Sequence, residues 1–139
     1  YRAMMDMDPG NGEYYTANYS RLAASLDSLD ARIATMLDPH RGEAFVVWHP
    51  SLSYFARDYG LEQIAIGSES KESSVRSMQA RIDEAIRDSV QVFFFQKEFD
   101  TRQAQVVNGQ LGAEMVTINP LDYKWREEML IIADAIASK

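Results

Sequence analysis

Cysteine is absent from the 139-residue sequence, and basic residues are outnumbered by acidic ones. The lack of cysteine excludes disulfides, thiolate metal sites and thiol nucleophiles. No hydrophobic run approaches the roughly 18 apolar residues that cross a bilayer as a helix. With 14 basic and 21 acidic residues the net charge is −7, which argues against a nucleic-acid partner because an acidic surface repels phosphates. The same sign of charge suits the attraction of cations.

Sequence motifs for nucleotide binding and for serine hydrolysis are also missing. The sequence has no Gly-x-Gly-x-x-Gly and no Gly-x-x-x-x-Gly-Lys, so nucleotide binding has no motif support. It has no Gly-x-Ser-x-Gly, the glycine-flanked turn that exposes the nucleophilic serine of many hydrolases.

The chain is predicted to have three parts. Residues 1–11 contain a strong turn signal, Asp8-Pro9-Gly10-Asn11, and we interpret them as the end of a truncated upstream segment. Residues 12–38 are predicted to form one long helix, and residues 39–139 an α/β lobe. No signal peptide is visible in the sequence, which we interpret as a processed chain or a fragment, so this says nothing about the destination.

The long helix is predicted from apolar residues that recur every three or four positions without an interrupting glycine or proline. Such a helix would be roughly 35–40 Å long, which is typical of a helix that links two bodies. Asp38-Pro39 ends it. The stripe consists of Tyr15, Tyr19, Leu22, Leu26, Leu29, Ile33 and Leu37.

After residue 39 short apolar runs alternate with helical patterns. The run Val92-Phe93-Phe94-Phe95 is apolar without alternation, as expected for a strand covered on both faces. The predicted fold is therefore α/β, with a long N-terminal helix followed by a four-stranded parallel sheet that has helices on both faces. The predicted strands are residues 44–48, 63–66, 90–95 and 114–118.

Ligands of open parallel sheets bind at the carboxyl ends of the strands, so the residues that follow each predicted strand are the candidates for a site. They provide one imidazole, several oxygen donors and one amine. These residues are His49, Pro50 and Ser51 after the first strand, Ser68, Glu69, Lys71 and Glu72 after the second, Gln96, Lys97 and Glu98 after the third, and Asn119 and Pro120 after the fourth.

His49 is the sharpest candidate, because a neutral imidazole is a favoured ligand of zinc and similar ions. The alternative is a histidine that caps the following helix or fills a polar niche. His40 lies in a predicted turn beside Arg41 and Gly42, where a solvated side chain is expected.

Asn119 offers its amide oxygen to a cation, or else stabilises the turn that it forms with Pro120. Local chemistry favours the turn. Glu69 and Glu72 flank a serine-rich turn, and their simpler interpretation is a solvated helix N-terminus, where the helix dipole favours acidic side chains.

Residues 45–61, which read FVVWHPSLSYFARDYGL, resemble the second lobe of zinc- and manganese-uptake binding proteins of ABC importers. In that family a strand ends in a metal-ligating histidine, or in glutamate in some manganese proteins, and a helix of similar sequence follows. Residues 69–74, 94–99 and 118–121 are also similar to family positions, and residues 8–37 are similar to the helix that joins the two lobes.

The resemblance implies an extracytoplasmic protein that captures a divalent metal ion, zinc ahead of manganese, for transport. It implies His49 as a metal ligand, and it places Asn119 where many members have a ligating aspartate. The implied partners are an N-terminal lobe that carries the first two ligands and the membrane permease. The implied location is the periplasm or the cell surface, with or without a lipid anchor. Because an amide oxygen is a neutral and poorer donor than a carboxylate, we expect this chain alone to bind metal weakly or not at all.

Two other functions remain open on the sequence. The first is a flavodoxin-like enzyme domain that uses His49 with Ser51 or Glu69 on a small polar substrate. The second is a non-catalytic interaction module that docks a partner on the apolar stripe of the long helix.

Overall fold

A computed structural model describes residues 1–67, 75–98 and 101–139. These residues form two compact units, residues 1–35 and residues 36–139. None of the helices in the described part of the chain combines the length and apolar character that crossing a membrane requires.

The first unit contains helix α1, Arg2–Met7, and most of helix α2, Gly12–Leu37. Asp8 lies between the two helices and accepts hydrogen bonds from Asn11 Nδ2 and the Tyr15 hydroxyl, both at 2.8 Å. The bond from Asn11, and to a smaller extent the bond from Tyr15, lowers the pKa of Asp8. The bond to Asp8 raises the pKa of Tyr15. The Tyr1 ring stacks on the Tyr19 ring with centroids 4.5 Å apart, so α1 folds back on the start of α2.

Helix α2 begins at the predicted residue 12 and ends at Leu37, one residue before the predicted end. Its 26 residues correspond to a length of about 39 Å at 1.5 Å per residue. The apolar stripe of α2 has an exposed part and a buried part. Tyr19, Leu22 and Leu26 are exposed, whereas Leu29, Ile33 and Leu37 are buried.

The second unit contains a four-stranded parallel sheet with the strand order β2-β1-β3-β4. The strands are β1, Ala44–Val47; β2, Glu62–Ala65; β3, Val92–Gln96; and β4, Glu114–Ile118. All four predicted strands are confirmed, with shifted ends. Strand β3 begins later than predicted because the Val90 N–H bonds to Ala85 O at the end of the preceding helix. It ends later because Gln96 still pairs with Ile118 of β4.

Helices cover both faces of the sheet, as predicted. Helices α4, Val75–Arg87, and α5, Thr101–Leu111, share one apolar core with β1 and β3, and Val46, Trp48, Phe93 and Phe95 belong to it. Helix α3, Ser53–Tyr59, lies on the other face, the side to which a right-handed crossover from β1 to β2 leads, and helix α6, Trp125–Ala137, packs beside β3 and β4 with no residue in that core. The run Val92-Phe93-Phe94-Phe95, predicted to be covered on both faces, lies in β3 and is buried at every position.

Three helices of the second unit are followed by a residue with a positive φ angle. Gly60 closes α3 at φ +72°, and Gly112 follows α5 at φ +66°. Ser89 follows α4 at φ +53°, the only non-glycine residue of the described chain with a positive φ. An L side chain in this left-handed region is strained, whereas glycine is not.

The substitution Ser89→Gly is therefore expected to raise the free energy of unfolding by about 0.5–1 kcal/mol. Gly112→Ala is the matched opposite, because it puts a Cβ on a left-handed residue in otherwise open space. We expect it to lower the free energy of unfolding by about 1 kcal/mol. Urea denaturation of both variants measures the two changes, and a loss of stability in Ser89→Gly would contradict the strain assigned to this turn.

Candidate metal centre

The predicted site lies at the carboxyl edge of the sheet, the edge where β1, β3 and β4 end. Backbone pairing continues past the end of β1, because the Trp48 N–H bonds to Phe94 O at 3.0 Å. The Gly67 N–H bonds to Trp48 O at 2.8 Å from the other side. His49 is the first residue beyond these bonds, so the sheet itself delivers it to the carboxyl edge.

His49 is half-buried, whereas the preceding Trp48 is only 8% exposed. The imidazole is thus on a residue at the boundary of the core and not within it. The backbone of His49 takes part in the turn that follows. The Ser51 N–H bonds to His49 O at 2.7 Å.

Two glutamine side chains hold the turn at residues 49–53 from the two neighbouring strands. From β2, Gln63 accepts a hydrogen bond from the Leu52 N–H and donates one to Ser53 Oγ, both at 2.9 Å. From β3, Gln96 Nε2 donates to Ser51 Oγ at 2.7 Å. Both serine hydroxyls therefore have structural partners, which gives the predicted enzyme alternative no support from Ser51.

Asn119 follows β4 and is anchored within its own turn. Its Nδ2 donates to Asp122 Oδ2 at 2.9 Å, its backbone N–H donates to Glu128 Oε2 at 2.9 Å, and its carbonyl accepts from the Asp122 N–H at 2.9 Å. The turn role weighed from the sequence is present in the structure. None of these bonds uses the side-chain oxygen Oδ1, the atom that a metal ligand requires.

Asp122 was missed by the sequence analysis, although it places a carboxylate against a predicted ligand. The Lys124 N–H, followed by the Asn119 amide, lowers the pKa of Asp122 because both donate to its charged form. The only sequence signal is an aspartate three residues after Asn119, within a turn that contains Pro120.

The other sequence-predicted residues fall into two groups. His40 precedes β1, at the opposite end of that strand, and its Nδ1 lies 3.0 Å from Glu43 Oε2. Lys97 and Glu98 follow β3 and are exposed. Ser68, Glu69, Lys71 and Glu72 lie outside the described residues, as do parts of the similar segments 69–74 and 94–99.

His49 and Asn119, the two predicted ligands at the carboxyl edge, are both neutral donors. No group of three or more histidine, cysteine, aspartate or glutamate side chains that could hold a metal ion occurs among the described residues. The imidazole suits zinc by type, whereas an amide oxygen is a harder donor, and zinc usually requires four ligands. The predicted residues of this edge therefore fit part of a metal site, and further donors are needed to complete it.

Gly67 was also missed by the sequence analysis. A Cβ built on it would lie 2.6 Å from the Trp48 carbonyl oxygen and 3.1 Å from Trp48 Nε1. The chain after β2 therefore passes the residue before His49 at a distance that only glycine allows. A lone glycine after a predicted strand does not reveal which backbone approaches it.

Comparison with known proteins gives consistent matches. The model of the family described as "ZnuA: Zinc-uptake complex component A periplasmic" matches residues 1–132. The high-affinity zinc uptake system protein ZnuA of Bacillus subtilis (strain 168) is 28% identical over 127 residues, which make up 90% of this chain and 40% of that protein.

Two solved structures are similar to almost the whole chain. A crystal structure of ZnuA gives a TM-score of 0.89 at 31% identity and covers 99% of this chain and 54% of that chain. A ZnuA deletion mutant with zinc bound gives a TM-score of 0.89 at 32% identity and covers 98% of this chain and 52% of that chain. The chain thus spans about half the length, or less, of these relatives.

The close approach at Gly67 predicts that Gly67→Ala lowers the free energy of unfolding by about 1–3 kcal/mol, because the Trp48 carbonyl must move. Gly109→Ala is the matched control, since its Cβ would meet no atom within 4 Å inside helix α5. That substitution is expected to raise stability by up to about 1 kcal/mol. Urea denaturation of both variants is the measurement, and equal stabilities would show that the backbone at Gly67 has room for a side chain.

Proposed function

Because the chain belongs to the ZnuA family of periplasmic components of zinc-uptake complexes, we propose that it is the second lobe of an extracytoplasmic protein that captures a divalent metal ion for an ABC importer. Membership confirms the family resemblance of residues 45–61. Family members are solute-binding proteins of transport systems and not enzymes.

The observation that carries the proposal is the delivery of His49 to the carboxyl edge by the pairing of Trp48 with its two neighbouring strands. A ligand directly after the paired part of a strand is held more firmly than one in the middle of a loop. His49 supplies a neutral imidazole to the ion, and Asn119 Oδ1 is the second donor from this lobe.

The transported ion is zinc ahead of manganese. Imidazole suits zinc, whereas manganese is favoured by carboxylate and other hard oxygen donors. His49 and Asn119 are both neutral ligands, so this lobe compensates none of the charge of the ion through them. The remaining ligands come from an N-terminal lobe, and this chain alone binds the ion weakly.

The complete protein works in the periplasm or on the cell surface, free or lipid-anchored, and passes the ion to a membrane permease. The long helix α2 joins the N-terminal lobe to residues 39–139. Its exposed residues Tyr19, Leu22 and Leu26 are available for contacts outside this chain. The ion is cargo that the two lobes hold between them and release, and no bond of a substrate is made or broken.

Replacement of His49 tests the ligand assignment. In the full-length protein, His49→Ala is expected to raise the dissociation constant of zinc by more than the roughly 10–100-fold that loss of a supporting contact costs, because a metal bond itself is lost. Competition with a chromophoric chelator measures this constant.

His40→Ala is the matched control, since this second histidine lies with Glu43 at the opposite end of β1. It should leave zinc affinity unchanged. An unchanged affinity in His49→Ala, or the absence of zinc and manganese binding by the full-length protein, would refute the proposed function.

Replacement of Asn119 tests the second donor. Asn119→Asp puts a carboxylate where Asp122 Oδ2 now accepts a hydrogen bond, so the metal-free protein should lose stability by about 0.5–1.5 kcal/mol. Zinc affinity should rise by about tenfold or more, equivalent to about 1.4 kcal/mol, because a charged oxygen replaces a neutral one.

Asn108→Asp provides the control, because Asn108 Nδ2 donates to Ala113 O at the start of β4, away from the carboxyl edge. It should cost stability without changing zinc affinity. A zinc affinity in Asn119→Asp equal to that of the wild type would leave Asn119 with its turn role alone.

A further inference from the structure

Gln96 occupies the centre of the carboxyl edge. It is the last residue of β3, which lies between β1 and β4 in the sheet. It pairs with Ile118, the residue before Asn119, and Phe94 two positions earlier accepts the bond from the Trp48 N–H. Gln96 therefore stands between the strand that delivers His49 and the strand that delivers Asn119.

The side chain of Gln96 is buried and only half satisfied. The residue is 5% exposed and is the one polar or charged residue in the buried set of the described chain. Nε2 donates to Ser51 Oγ at 2.7 Å, whereas Oε1 is buried and has no hydrogen-bond partner among the described residues. A buried unpaired polar atom is costly, so an apolar residue of similar size would suit stability at this position better.

Hydrogen bonds link Gln96 to His49 through Ser51. Ser51 Oγ accepts from Gln96, and the Ser51 N–H bonds to the carbonyl of His49 at 2.7 Å. The amide of β3 thus fixes the turn whose first residue carries the imidazole. This hydrogen bond is the link between the Ser51 hydroxyl and strand β3. Loss of the Gln96 amide would therefore allow the turn to adopt other conformations.

We propose that Gln96 is a positioning residue for metal capture, which holds Ser51 and thereby aims the imidazole of His49 at the ion. This inference rests on the proposed function. It explains why a half-satisfied amide occupies a buried position on a strand otherwise composed of Val92, Phe93, Phe94 and Phe95. Supporting contacts that orient a histidine ligand are worth roughly 10–100-fold in metal affinity.

Two substitutions at this position separate positioning from stability. Gln96→Leu removes the bond to Ser51 and also the unpaired oxygen. Gln96→Glu keeps the bond, because the Ser51 hydroxyl can donate to a carboxylate, and adds a negative charge beside the cation site. It also buries a charge, which is expensive in the metal-free protein.

In the full-length protein, zinc affinity and the urea midpoint should therefore rank the two variants in opposite orders. Gln96→Leu is expected to raise the zinc dissociation constant by roughly 10–100-fold while the urea midpoint of the metal-free protein stays the same or rises. Gln96→Glu is expected to bind zinc at least as tightly as the wild type, with a lower urea midpoint. Chelator competition and urea denaturation provide the two readouts.

Two controls complete the test. Asn108→Leu removes another amide with an unpaired buried oxygen, far from the carboxyl edge, and should change the urea midpoint but not zinc affinity. Ser51→Ala should weaken zinc binding as Gln96→Leu does. The double variant should be no weaker than either single variant, because both remove the same bond.

A wild-type protein that binds zinc together with a Gln96→Leu variant of equal affinity would overturn this inference and leave the proposed function intact. Zinc affinities that follow the urea midpoints in both Gln96 variants would also overturn it, since Gln96 would then be only structural. A wild-type protein that binds neither zinc nor manganese would remove the proposed function and this inference with it.

Discussion

Parallel pairing of β1, β3 and β4 is the constraint on which the site depends. In a parallel sheet the carboxyl ends of all strands meet at one edge, so residues distant in sequence become neighbours without any dedicated scaffold. Here the constraint gathers His49, Gln96 and Asn119, the residues at or just beyond three strand ends. Burial of β3 on both faces keeps this edge rigid.

Rigidity at the edge is transmitted to the turn after His49 by side-chain amides. Gln63 and Gln96 come from the strands on the two sides of β1 and bind Leu52, Ser53 and Ser51. Their bonds replace the backbone pairing that stops at Trp48. A neutral amide suits this task, because it can donate and accept within a buried space where an unpaired charge would be costly.

Charge distinguishes this edge from a complete metal site. The two predicted ligands of the edge are an imidazole and an amide, and the nearby carboxylate of Asp122 is engaged by the Asn119 amide and the Lys124 N–H. Neutral donors leave the charge of a divalent ion uncompensated, so a site built only from them is weak.

The sequence predicts the elements of this fold better than the contacts of its site. Periodicity identified α2, and the apolar run of β3 identified a strand buried on both faces. The pattern also placed His49 at a strand end. It could not show that Gln96 bonds to Ser51, since these residues are 45 positions apart and meet only in the folded sheet. Gly67 was missed for the same reason, because its constraint is the carbonyl of a residue in another strand.

The most direct test of the account is a long-range proton–nitrogen NMR spectrum of the histidine rings in the full-length protein, with and without one equivalent of zinc. The account predicts that zinc shifts a ring nitrogen of His49 to the position of a metal-bound imidazole and leaves both ring nitrogens of His40 in place. Bound zinc with unshifted His49 nitrogens would contradict the claim that this strand end delivers a metal ligand.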